Sequence, residues 1–139
     1  MDTIQVEIVS AEGQIFSGPA RMVFLPASEG EIGVTPRHAP LLTLLKPGEV
    51  RVQSAEGEEQ LFFVGGGALE VQPTKVSVLA DTAARAKDLD EAAALAARAR
   101  AEEALAGQVD KITQAEALAE LARATAQLKL IQKLRKIHS

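Results

Sequence analysis

Apolar and polar positions alternate from the first residues: Ile4, Val6 and Ile8 are separated by Gln5 and Glu7, the period of a β-strand with one buried face. Similar short runs, rich in Val, Phe, Leu or Ile, occupy residues 21–25, 49–53, 60–64, 68–72 and 75–79. Turn-forming residues stand between them: Glu12-Gly13, Ser17-Gly18-Pro19, Lys46-Pro47-Gly48, Glu56-Gly57 and Gln72-Pro73. Short strands so closely spaced predict antiparallel pairing, and packing two layers together buries their apolar faces as a β-sandwich.

After about residue 84 the pattern changes to a helical one. Two capping signals, Asp88 followed by Glu91 and Thr113 followed by Glu116, predict two helix starts. Gly107 lies between them, where a residue of positive φ commonly ends a helix. The expected result is an antiparallel two-helix hairpin over residues 89–106 and 114–136, roughly 27 and 35 Å long at 1.5 Å per residue. The first helix offers chiefly Ala92, Ala93, Ala96, Ala97 and Ala99, with Leu89, Leu95 and Leu105 as its larger residues. At about 25 cal/mol per Å² such a seam clamps weakly, so the hairpin owes its helicity more to alanine's propensity than to packing. The second helix adds Leu118, Leu121, Leu128, Ile131, Leu134 and Ile137. That surface exceeds what an Ala-rich partner covers, leaving either the sandwich or another subunit to cover the rest.

Composition sharpens the division. All six prolines, nine of the ten glycines and all four phenylalanines precede residue 81, while eighteen alanines fall in residues 83–126. The expected domains are therefore 1–84 and 85–139. Residues 1–84 hold 11 acids and 5 bases, and residues 85–139 hold 8 acids and 10 bases, so the halves carry opposite net charge. The basic residues Arg123, Lys129, Lys133, Arg135 and Lys136 follow Glu120, the last acid, and cations are favoured near a helix C-terminus. The same cluster also suits an acidic partner. An acidic first domain argues against nucleic acid. Without cysteine there is no disulfide framework and no thiolate chemistry. No apolar run approaches the roughly 20 residues of a membrane helix, so any membrane association is expected only through partners.

Candidate chemistry is sparse. Glu29, Glu31 and His38 are suitable groups for acid–base work or metal ligation, but their spacing matches no regular ligand set. Gly65-Gly66-Gly67 lacks the Lys-Ser/Thr of a phosphate loop, and Glu70 stands where a dinucleotide motif needs its third glycine, so a tight bend between strands is expected. The densest punctuation runs from Glu29-Gly30-Glu31-Ile32-Gly33 through Pro36-Arg37-His38-Ala39-Pro40 to Lys46-Pro47-Gly48. Rigid irregular loops of this kind on a β scaffold either present a recognition surface or only turn corners.

The sequence resembles the epsilon subunits of F-type ATP synthases along nearly its whole length. The resemblance is carried by Val9-Ser10-Ala11-Glu12 with Phe16-Ser17-Gly18, by Glu29 through Gly33 and Pro36 through Thr43, and by Lys46-Pro47-Gly48. It continues through Gly66-Gly67 with Leu69-Glu70-Val71-Gln72-Pro73, Val78-Leu79-Ala80-Asp81-Thr82-Ala83 and Leu89-Asp90-Glu91-Ala92. It implies a ten-stranded antiparallel β-sandwich followed by two antiparallel helices. The partners implied are the gamma subunit, the polar loops of the c-ring, and the alpha/beta catalytic hexamer. Glu31 and His38 are then expected contacts to the c-ring, not catalysts. The hairpin is expected as a mobile arm that inhibits ATP hydrolysis, with Arg123, Lys129, Lys133, Arg135 and Lys136 meeting the hexamer.

Members that bind ATP in the hairpin carry a Leu/Ile-Asp-x-x-Arg-Ala motif, and the motif's arginine is Ala93 here. Asp90, Arg98, Arg100 and Arg123 remain as nucleotide partners, but losing a charge-assisted group weakens binding. No cofactor is expected. The resemblance implies a non-catalytic rotor subunit coupling the head to the proton-driven ring, peripheral at the cytoplasmic face of the bacterial inner membrane. The alternatives are a small β-domain enzyme built on His38 with Glu29 or Glu31, and a free-standing ATP-sensing module.

Overall fold

The computed structural model describes residues 2–107 and 109–137. They form two compact units, Met1–Arg85 and Ala86–Ser139.

Among the described residues the first unit holds eight strands: β1 (Ile4–Ser10), β2 (Gly13–Ala20), β3 (Met22–Ala27), β4 (Gly30–Val34), β5 (Leu41–Gln53), β6 (Glu59–Gln72), β7 (Lys75–Ala80) and β8 (Ala83–Arg85). Their order is β2-β1-β7-β6-β5-β3-β4, with β8 paired to β6. All pairs are antiparallel except β1 with β7, which run parallel from Gln5 opposite Lys75 to Val9 opposite Leu79. One face of nearly every strand feeds a single core: Ile4, Val6, Ile8, Val23, Leu25, Val50, Val52, Phe62, Val64, Leu69, Val71, Val76 and Val78. A sheet whose strands all turn one face to a common core has folded over on itself, which is the sandwich expected from the alternation.

The expected ten antiparallel strands are corrected to eight in a mixed sheet, and the reason lies in β5 and β6. Their ladder keeps one register from Leu41 opposite Val71 to Gln53 opposite Glu59, interrupted only where Lys46 faces Gly66. Within it the inward positions change parity, from Leu45 to Val50 and Val52 on β5, and from Phe62 and Val64 to Leu69 and Val71 on β6. Pro47-Gly48 and Gly65-Gly66-Gly67 sit at that change, so each strand serves two layers and replaces two short ones. These residues were expected to separate strands; they bend continuous ones. Ser17-Gly18-Pro19 likewise lies inside β2, where a proline is tolerated because β2 is an edge strand. The turn at Glu56-Gly57 lies between strands as expected, and those expected at Glu12-Gly13 and Gln72-Pro73 fall one residue away, at Ala11-Glu12 and Pro73-Thr74, because Gly13 already opens β2 and Gln72 still closes β6.

The second unit opens with a 3₁₀ turn, Ala86–Asp88, followed by α1 (Glu91–Ala106) and α2 (Lys111–Ile137). The caps fall two and three residues away from those expected. Asp90, not Asp88, accepts from the Ala93 N–H at 3.1 Å, and Asp110, not Thr113, accepts from the Thr113 N–H at 2.7 Å. Asp88 is taken up in the 3₁₀ turn. Gly107 has φ −91° and ψ 175°, extended backbone instead of the expected positive φ. The seam is alanine, though on another face than expected: Ala94 and Ala101 on α1, with Ala117 and Ala124 on α2, are buried, and Leu128 continues the α2 stripe, whereas Leu130, also buried, lies off it. Ala92, Ala93, Ala96 and Ala99 are exposed. The seven-residue spacing within each alanine pair keeps them on one stripe of the helix.

Candidate functional site

Glu31 lies on the edge strand β4, which the two glycines of Gly30-Glu31-Ile32-Gly33-Val34 disguise as loop. Ile32 and Val34 pack inward, so Glu31 projects outward and is exposed. It does not stand free: Arg51 Nη2 donates to Glu31 Oε1 at 3.3 Å. The Arg51 guanidinium is 4.2 Å from the centroid of the Phe24 ring, and its Nε is 3.4 Å from Glu49 Oε1, an ion-pair distance without hydrogen-bond geometry. Stacking on an aromatic face while paired with two carboxylates fixes the guanidinium, and through it the Glu31 carboxylate.

His38 lies in the segment between β4 and β5. Its backbone N–H donates to the Thr35 carbonyl at 3.2 Å, and its Nδ1 is 2.7 Å from the Ala39 carbonyl oxygen. The preceding Arg37 takes φ 65°, donates its N–H to the Pro73 carbonyl at 2.8 Å, and pairs with Asp2 at 2.7 Å. The segment is thereby tied to the β6–β7 turn. Glu29 is exposed in the β3–β4 turn. Glu31 and His38 thus engage separate neighbours. Among the described residues no group of three or more His, Cys, Asp or Glu side chains is placed to hold a metal, and no polar or charged residue is buried.

A surface that the sequence reading missed lies on the outer face of the sandwich. Leu42, Leu44 and Leu79 are 76%, 66% and 59% exposed. Sheet register places Leu44, Ala68, Leu79 and Val9 in one row across β5, β6, β7 and β1. Leu42 shares the face, two residues along β5. The Glu7–Lys75 pair, at 3.3 Å, and Glu70 border it. The signal was present in Leu41-Leu42-Thr43-Leu44-Leu45, a run apolar on both faces of a strand, but its prolines and glycines on either side concealed the strand.

On the helical unit the sequence-predicted residues separate by role. Asp90 is spent as the cap of α1. Arg100 pairs with Glu120 of α2 at 3.7 Å, Arg98 is exposed and Arg123 half-buried. Lys129, Lys133 and Lys136 line, with Gln132 and Ile137, an open cleft of about 360 Å³. Arg135 does not join them: its Nη2 donates to both Glu91 carboxylate oxygens at 3.0 Å. The Thr113 N–H and hydroxyl hold the Asp110 carboxyl below its usual value. His138 lies outside the described residues. Among the described residues no helix is long and apolar enough to cross a membrane.

The sandwich matches the family profile of the ATP synthase delta/epsilon chain beta-sandwich domain over residues 3–86, and the helices match that of the long alpha-helix domain over residues 87–132. The chain is 63% identical over 134 residues to the ATP synthase epsilon chain of Nitrosococcus oceani, covering 96% of each. It is 61% identical over 136 residues to that of Alkalilimnicola ehrlichii, covering 98% of this chain and 97% of the other. Its fold is also similar to a chain of the Euglena gracilis mitochondrial ATP synthase, solved as an OSCP/F1/c-ring assembly. There the TM-score is 0.69 at 19% identity, over 99% of this chain and 82% of that one.

Proposed function

We infer the function from one premise: this chain belongs to the ATP synthase epsilon-chain family, matched through both of its units. It is a non-catalytic subunit of the ATP synthase and a part of its central stalk. Residues 1–84 are the docking block, held against the gamma subunit and resting on the polar loops of the c-ring. Residues 85–139 are the regulatory arm. The complex couples its catalytic head to the proton-driven ring, with this subunit peripheral at the cytoplasmic face of the bacterial inner membrane.

The observation that carries the docking role is the row of exposed leucines. An apolar face centred on Leu42, Leu44 and Leu79 and bordered by Glu7, Lys75 and Glu70 has the centre-and-rim composition of an interface. We assign it to gamma. Glu31, fixed by Arg51 on the edge strand, and His38, on its anchored turn, are the contacts to the c-ring. The arm restrains ATP hydrolysis, with Arg123, Lys129, Lys133, Arg135 and Lys136 meeting acidic surfaces of the alpha/beta hexamer. ATP is not its main latch: Ala93 replaces the motif arginine, and the Asp90 carboxylate already caps α1. Asp90, Arg98, Arg100 and Arg123 give at most weak nucleotide binding.

The test is reconstitution with a purified catalytic head containing gamma. A Leu44→Glu, Leu79→Glu double variant, with its fold verified by circular dichroism, is expected to lose at least about tenfold in affinity, the scale of about 1.4 kcal/mol. Native affinity in that variant would remove the apolar face from the gamma interface.

A further inference from the structure

We propose that Glu91 and Arg135 form an ionic latch at the open end of the hairpin, by which Glu91 withholds Arg135 from acidic partners until the helices part. The proposal rests on the arm's role inferred above for its consequence, though not for its geometry.

Glu91 is in the first turn of α1 and Arg135 in the last turn of α2. Antiparallel helices bring these two turns to the same end, opposite the connection through residues 107–110. That connection already closes one end covalently, and the ion pair closes the other. Arg135 Nη2 bisects the carboxylate, at 3.0 Å from each oxygen. Each partner also complements its own helix dipole, the acid at an N-terminus and the cation at a C-terminus. The pair therefore gathers three favourable interactions at one place.

Its importance comes from what lies beside it. The buried stripe of α1 consists of Ala94 and Ala101, which bring little apolar area to the seam. A weak ionic contact consequently forms an appreciable part of what holds this end. The Arg100–Glu120 pair lies farther toward the connection and is longer, at 3.7 Å. With its side chains 41% exposed at Glu91 and 63% at Arg135, the pair is accessible to salt and to a competing carboxylate. In the closed hairpin Glu91 occupies the guanidinium as a partner's acid would, so opening and engagement are linked by exchange of one carboxylate for another.

The experiment is amide hydrogen exchange at residues 95–98 in the full chain, for the native protein, Glu91→Gln, Arg135→Gln and the double variant. Each single variant is expected to speed exchange about two- to fivefold, the span of exposed ion pairs. The double variant should be no faster than the faster single one, because both remove the same interaction. Raising salt to about 0.5 M should accelerate the native chain and leave the single variants unchanged. Unchanged exchange in both single variants, or effects that multiply in the double one, would overturn the latch. Hydrolysis by a reconstituted head separates this from the arm's inhibitory role: if exchange responds as expected while Glu91→Gln inhibits only as strongly as the native chain, the latch stands and the inhibitory role fails.

Discussion

At Gly67 the backbone takes φ +138°, and a Cβ there would overlap the Leu79 carbonyl oxygen and stand 2.8 Å from Ala80 Cα. Both obstacles are backbone of the neighbouring strand β7, so neither can swing aside. Gly67→Ala is expected to destabilise the sandwich by roughly 3 kcal/mol or more, combining conformational strain with a clash in the core layer. Urea unfolding followed by far-ultraviolet circular dichroism checks this. Gly107 is the opposite case. Its φ of −91° suits any residue, and an added Cβ meets nothing nearer than the Ala104 carbonyl oxygen at 3.9 Å. Gly107→Ala is expected to stabilise the helical unit by about 0.4–1 kcal/mol, by restricting the unfolded chain, and to raise the midpoint at 222 nm. The sequence marks both positions as punctuation. It does not tell a glycine demanded by a positive φ from one whose freedom goes unused, because that depends on backbone a dozen residues away.

Among the elements, those with a simple period were legible and those that change period were not. β1 reads directly from Ile4, Val6 and Ile8, whereas β5 and β6 switch inward parity at Pro47-Gly48 and Gly65-Gly66-Gly67, so a rule of strict alternation cuts each in two. β4 was lost to its glycines, and with it the reason Glu31 projects outward. The helix starts were placed within three residues, since several acids and hydroxyls compete for each cap and only backbone geometry decides among them. At α2 the winner has a measurable consequence. Hydrogen bonds from Thr113 lower the Asp110 pKa below the usual 3.8, so the cap's contribution is present above that value and is lost as pH falls through the lowered folded value. The Thr113 amide proton shift is expected to titrate with a midpoint below 3.8. Asp110→Asn, which caps without ionising, should abolish that titration and keep α2 helical at neutral pH. A midpoint at or above 3.8 would show that the cap does not hold the carboxylate.

For the whole molecule the question is whether the two units are separable in function, as the shift from Pro and Gly to Ala suggests. The buried cluster of the sandwich is complete between Ile4 and Ala80, and Ala83 packs against it from β8. β8 closes the sheet by pairing Ala83–Arg85 with Phe62–Val64, so the last strand ends where the helical unit begins. The exposed leucine face and the Arg51-anchored Glu31 also lie wholly within this unit. A chain ending after Asp88 should therefore retain strand circular dichroism and cooperative unfolding, and should bind a gamma-containing head with native affinity. Lacking Glu91, Arg135 and the lysine-lined cleft, it should no longer restrain ATP hydrolysis by that head. Co-purification and hydrolysis rates on one reconstituted preparation measure both properties together. Retained binding with full restraint would move inhibition to the sandwich, and lost binding with a folded sandwich would move docking to the arm. Only retained binding with lost restraint fits a rigid block that docks and a separate arm that regulates.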